Sequence, residues 1–141
     1  MKHFLGILCL LLTGTLYAQN TAADQANLTF ASSDIIQSSV KAYNEKDISA
    51  FVACFAPDAE IFNASGVLLC KGQEKLGEHF NTFFKNHPVA RRQVIDRVNT
   101  GEKVMEREKL TGLQGGKETT VTSVYELENG LIKAFYFVGE F

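Results

Sequence analysis

Residues 39–63 read SVKAYNEKDISAFVACFAPDAEIFN, and residues 71–84, after a glycine-containing break, read KGQEKLGEHFNTFF. Ile36, Val40 and Tyr43 recur at helical spacing, which places Tyr43 on the buried face near the end of a first helix. Asp34 with Gln37 three residues on has the form of a capping box for its start. After the charged turn Glu45-Lys46-Asp47, Asp47 is a good N-cap for a second, short helix with Ile48, Phe51, Val52 and Phe55 as its apolar stripe. Pro57 forbids continuation of that helix. Ala59–Asn63 then alternates as a strand does, Gly66 turns the chain, and Val67–Cys70 pairs back or continues the edge. A third helix is predicted over about Gln73–Asn86, with Leu76, Phe80 and Phe83 on its apolar face and His79 beside them.

The remainder of the chain reads as strands. Ala90–Thr100, Lys103–Leu113, Glu118–Leu127 and Leu131–Gly139 are rich in β-branched and aromatic residues, and glycine-containing turns separate them. Those turns are Thr100-Gly101, Gln114-Gly115-Gly116 and Asn129-Gly130. Three helices followed by four hairpin-linked strands is an α+β order. A long antiparallel meander curls, and the three helices are the available cover for one of its faces. A curled sheet closed in this way leaves a hollow at its wide end.

At the other end of the chain, Lys2 and His3, the apolar run Phe4–Leu12 and the small Ala18 have the three parts of a secretory signal peptide. The expected organisation is a removed segment over 1–18, a flexible leader over 19–31 and one domain over 32–141, exported to the periplasm or secreted. The apolar run is too short to span a bilayer, so no membrane contact is expected after cleavage. Lys and Arg number 14 against 16 Asp and Glu, with both signs scattered, and nothing resembles the basic stripe that nucleic-acid binding requires. Cys54 lies in a helical apolar pattern and Cys70 in a strand-like one, which reads as two core thiols, with a disulfide as the alternative in an oxidising compartment.

Strand alternation offers a guess at what lines the hollow. In Lys103–Leu113, Val104, Glu106, Glu108 and Leu110 share one face, and Met105, Arg107 and Lys109 share the other. Lysine and arginine favour solvent, so Glu106 and Glu108 are expected to point inward, roughly 7 Å apart by two strand steps. The alternative is an exposed face laced with cross-strand ion pairs. An inward pair suits acid/base work, with at least one carboxyl pKa raised by burial and like charge. Asp96 on the neighbouring strand joins the pair, or Arg97 neutralises it; the two lie on opposite faces and alternation does not choose. Tyr43, Asn63, His79, Tyr125 and Tyr136 are the other candidate polar pocket groups, each with a bland reading as core aromatic, helix-face histidine or strand end. No metal site is expected, because His79 and His87 lack a partner at ligand spacing, and no cofactor motif is present.

Four pieces, Tyr43-Asn44-Glu45-Lys46-Asp47, Phe55-Ala56-Pro57-Asp58-Ala59, Gly72 and Tyr125-Glu126-Leu127-Glu128-Asn129-Gly130-Leu131-Ile132, give a likeness over residues 31–139. The sequence resembles the SnoaL-like branch of the NTF2-like superfamily, as an exported bacterial member. The resemblance implies the ketosteroid-isomerase-like cone, three N-terminal helices on a strongly curved, mainly antiparallel sheet. It also implies a pocket for a small apolar ligand and a homodimer formed through the sheet face. The isomerase chemistry needs an Asp base and an oxyanion hole of Tyr plus protonated Asp, a known worked case. Matching the motifs puts Asn63, Ser39 and Ser123 at those three positions, so steroid isomerisation by that mechanism is not expected. Two readings follow: a binding or interaction protein, or a cofactor-independent isomerase or cyclase in which Glu106, Glu108 or Asp96 moves a proton on a small, largely apolar carbonyl compound, with Tyr43 or His79 donating to the developing enolate oxygen.

Overall fold

The turn at residues 43–47 ends one helix and begins the next. Helix α1 (Ala22–Glu45) stops where Lys46 enters the left-handed region at φ 59°. Asp47 N donates to Ala42 O at 3.0 Å and Lys46 N to Tyr43 O at 3.2 Å, the paired bonds that satisfy the last carbonyls of a helix. Lysine replaces the usual glycine there because its side chain is used: Nζ donates to Tyr43 O at 3.1 Å and to Ala90 O, and lies over the Tyr43 and Phe84 rings. Asp47 then caps α2 (Ile48–Ala53), accepting from Ala50 N at 2.9 Å.

The structure is a computed structural model, described over residues 22–138. After α2 come β1 (Phe55–Phe62), β2 (Leu68–Lys71), α3 (Gln73–Asn86), β3 (Arg91–Asn99), β4 (Lys103–Thr111), β5 (Thr119–Glu128) and β6 (Leu131–Val138). The six strands form one curved, unclosed sheet in the order β2-β1-β6-β5-β4-β3, antiparallel except for the β1–β6 pair. The class is therefore α+β, as expected, with three helices on the inner face of a cone. Asn129 and Gly130 both have positive φ, at 52° and 76°, as a two-residue hairpin demands.

Several boundaries differ from the sequence reading. Helix α1 begins at Ala22, so residues 22–31, expected as a flexible leader, are helical, and Asp34 lies inside the helix instead of capping it. Tertiary contacts fix this segment: Asn99 Nδ2 donates to Thr29 O at 2.9 Å and to Ser33 Oγ at 3.0 Å, and Ser32 Oγ donates to Gly101 O. The signal segment 1–18 lies outside the described residues. Helix α2 closes at Ala53, and Phe55 and Pro57 belong to β1. Pro57 falls between Phe55 and Glu60, where the register with β6 shifts, so its missing N–H sits where the ladder is interrupted. On α3 the core residues are Leu76, Phe80 and Phe84 at spacing of four, while Phe83 is half-buried.

The core is an aromatic cluster between the helices and the sheet. Phe51 meets Phe80 at 4.6 Å and Phe55 at 5.0 Å between ring centroids, and Tyr43 meets Phe84 edge-on at 5.0 Å. Cys54 and Cys70 are buried and free. One inner row crosses the whole sheet in register, Asn99, Val104, Tyr125, Phe135, Ile61 and Cys70.

Gly112 joins β4 to the loop that rims the cone. At φ 70° a Cβ there would lie 2.2 Å from Val89 O, an overlap with backbone that no rotamer relieves. Gly112→Ala is expected to cost about 3 kcal/mol or more. Chemical denaturation of the two proteins measures it, and equal midpoints would show that the segment moves freely.

Candidate functional site

The inner face of β4 carries Val104, Glu106, Glu108 and Leu110, and both glutamates are 0 % exposed. The inward expectation for the two carboxylates is met. Ionised carboxylates out of water need partners, and β3 supplies two arginines. Arg92 Nη2 donates to Glu108 Oε1 at 2.6 Å and Nε to Glu108 Oε2 at 3.2 Å, a bidentate fork. Ser123 Oγ on β5 donates to Glu108 Oε2 at 2.7 Å. Arg97 Nε donates to Glu106 Oε1 at 2.6 Å. Tyr125 bridges the halves: its hydroxyl accepts from Arg92 Nη2 and donates to Glu106 Oε2 at 3.5 Å.

A bulge makes this cluster possible. Arg92 and Arg97 are five residues apart, which in a regular strand puts them on opposite faces. The β3–β4 register shifts between Val94 and Asp96, so the strand gains a residue and both arginines face inward. The same shift sends Asp96 outward, where it pairs with Arg107 at 2.6 Å on the exposed face. The expectation that Asp96 lines the pocket is thus corrected, and Arg97 is the neutralising neighbour. Helix α1 fixes the other end of β3: Asn44 donates to Arg92 O at 2.9 Å and accepts from Arg92 N at 2.8 Å.

The cluster splits its two acids. Burial first, then the neighbouring Glu108 carboxylate, push Glu106 up to about 7 against the lowering pull of Arg97. Burial also acts to raise Glu108, but the Arg92 fork and Ser123 outweigh it and hold Glu108 below the usual carboxylate range. Tyr43 and Tyr125 are both raised, Tyr43 to about 12, burial being the main cause in each. Both hydroxyls keep their protons near neutral pH.

Beside this cluster lies a cavity of about 420 Å³ between the helices and the sheet, within the size range of small-molecule sites. Tyr43 from α1 and His79, Phe80 and Phe83 from α3 form one wall, with His87 just past the helix end. Arg92, Leu110 and Phe137 come from the sheet, Leu113 and Gln114 from the β4–β5 loop, and Asn63 and Leu69 from the β1–β2 hairpin. A shallower groove of about 560 Å³ on the outer side of α3 shares Leu69, His79, Phe83 and His87 with it.

Of the expected pocket residues, Tyr43, Asn63 and His79 line the cavity. Asn63 Oδ1 is also committed to its turn, accepting from Ser65 N at 3.0 Å and Val67 N at 2.9 Å. Tyr125, Glu106 and Glu108 are inward but not in the lining; Arg92 is the member of their network that reaches the cavity. Tyr136 is on the outer face, stacked on Phe62 at 4.8 Å. Arg92 escaped the sequence reading, because an Arg-Arg pair opening a strand reads as solvent-facing. The available signal was charge balance: two inward glutamates call for two cations.

Stability should follow the split acids. Glu106 binds its proton more tightly folded than unfolded, so its contribution is full below about pH 4.3, the ordinary glutamate value, and is lost as pH rises through about 7. Glu108 is depressed, so its contribution holds above the ordinary value and is lost as pH falls through its folded pKa. Glu106→Gln is expected to flatten the fall in Tm between pH 5 and 8 while leaving the acid limb. An unchanged alkaline slope in the variant would contradict the assignment.

The sequence matches the family described as SnoaL-like domain over residues 36–135. A comparison with curated proteins gave no match. Among solved structures, a cystatin-fold protein from Novosphingobium aromaticivorans superposes with TM-score 0.71 at 22 % identity, covering 77 % of this chain and 97 % of that one. RV0760c from Mycobacterium tuberculosis, in complex with estradiol-17β-hemisuccinate, superposes at 0.68 with 19 % identity, covering 78 % and 94 %. An NTF2-like protein from Cytophaga hutchinsonii superposes at 0.64 with 17 % identity, covering 77 % and 89 %. At these identities the structural likeness bears on the fold alone.

Proposed function

Because the chain belongs to the SnoaL-like domain family, we propose that its cone binds a small, largely apolar molecule in the cavity beside Arg92. The observation that carries this reading is the lining itself. Phe80, Phe83, Leu110, Leu113 and Phe137 supply apolar walls, and a few polar groups, Tyr43, His79, His87 and Arg92, converge on them. The steroid ester held by RV0760c supports the same class of ligand, a rigid apolar body with a polar end.

Acid/base catalysis is the weaker reading. Glu106, raised to about 7, has the proton affinity a general base needs. A base must also reach its substrate, and Glu106 is 0 % exposed and absent from the cavity lining. Glu106 and Glu108 are better described as the support that holds Arg92.

Calorimetric titration with estradiol-17β-hemisuccinate tests the binding reading. Micromolar affinity is expected for the wild type. Leu113→Trp, which narrows the cavity from a half-buried loop position, should weaken it tenfold or more with the fold intact by circular dichroism. Affinity untouched by Leu113→Trp would place any binding elsewhere.

The outer sheet face supports a homodimer. Leu68, Phe62, Tyr136, Val124, Met105 and Val98 form one apolar row across all six strands in register. Val98 is 61 % and Met105 49 % exposed, and an apolar stripe of that reach is a surface to be covered. The charges around it are paired in cis, Arg107 with Asp96, Lys103 with Glu126 and Lys109 with Glu118. Two copies can therefore meet face to face without like charges opposed, as an isologous interface requires. Light scattering at tens of micromolar should give a dimer and Met105→Lys a monomer. A monomeric wild type at that concentration removes the proposal.

A further inference from the structure

The polar side of the cavity has a definite sign. Among the described residues that line it, Arg92 is the one permanently charged group and none is a carboxylate. A guanidinium has five N–H donors. Glu108 and Tyr125 take up Nε and Nη2 of Arg92, and Nη1 has no partner among the described residues. The side chain is 2 % exposed and borders the cavity. The Tyr43 hydroxyl likewise has no hydrogen-bond partner among the described residues, and its ring centroid lies 5.3 Å from the Arg92 guanidinium carbon. His87, on the same cavity, has its Nδ1 buried and without a partner among the described residues.

We propose that the cavity selects apolar ligands bearing a carboxylate, which accepts from Arg92 Nη1 and from the Tyr43 hydroxyl. Arg92 and Tyr43 both line the cavity, and neither Arg92 Nη1 nor the Tyr43 hydroxyl has an acceptor among the described residues, so an acceptor on the ligand is what this corner can take. Arg92 is already fixed on three sides, by the Glu108 fork, by Tyr125 and by Asn44 at its backbone. Little ordering remains when a ligand arrives. Tyr43, raised to about 12 mainly by burial, stays a donor throughout the neutral range. The surrounding charge does not forbid an anion. Two arginines, Arg92 and Arg97, face two glutamates, and Glu106 holds its proton to about 7, which leaves the cluster with excess positive charge.

This inference rests on the small-ligand reading, and one pair of probes separates the two. 1-Naphthaleneacetate and 1-naphthaleneacetamide share a body and differ in the charge of the head. Titrated calorimetrically into the full chain at pH 6.5, the acid is expected to bind at least tenfold more tightly than the amide. Tyr43→Phe should weaken the acid several-fold and move the amide less. Equal affinities, or a preference for the amide, overturn the carboxylate inference and leave the cavity reading standing. Binding of neither probe overturns both. An acid affinity unchanged in Tyr43→Phe removes the hydroxyl from the site.

Discussion

The fork between Arg92 and Glu108 is the interaction on which the rest of the interior depends. Both side chains are out of water, at 2 % and 0 % exposure, and neither tolerates that environment alone. Breaking such a pair by removing one member typically costs about 3–5 kcal/mol, because the survivor is left as an uncompensated charge. The two residues sit on adjacent strands, and the fork is the cross-strand contact that lets β4 turn a carboxylate toward the core. Ser123 and Tyr125 on β5 complete the acceptors and donors. The result is a polar layer built across three strands inside an otherwise aromatic core.

That layer explains features that look unrelated in the sequence. The β3 bulge exists where Arg97 must reach the face that Arg92 already occupies. Asn44, the second residue of the Tyr43-Asn44-Glu45-Lys46-Asp47 turn, reads the backbone of Arg92 on both sides. The helix end, the strand start and the buried charge are thus one unit. Tyr43 belongs to it as well, with its ring over the guanidinium and against Phe84.

The division of labour between the two glutamates follows from their partners, since each has an arginine nitrogen 2.6 Å away. Glu108 receives two bonds from Arg92 and stays ionised. Glu106 has Arg97, whose side chain is 24 % exposed and so partly shared with water, and it faces a second carboxylate. One buried acid is held charged and the other sits near neutrality, although both are glutamates on one strand face. Their exclusion from the cavity makes Arg92 the charged surface that the described residues present there.

Much of this was legible in the residues. Helical periodicity and the Asp47 cap give the end of α1 and the start of α2, the α3 limits match, and alternation in β4 places Glu106 and Glu108 inward. These are local properties: a period of 3.6 or 2 and a capping side chain act within a few residues. The sequence did not determine the helical state of residues 22–31, which depends on Asn99 and Gly101 from a distant hairpin. Nor did it reveal the bulge that turns Arg97 in and Asp96 out, because one inserted residue in a ladder leaves no mark on composition. Arg92 as the charged wall of the cavity was likewise decided by the fold. A cation enters the interior only when the sheet brings an acid within bonding distance, and that proximity is a property of strand register, which only the tertiary structure sets.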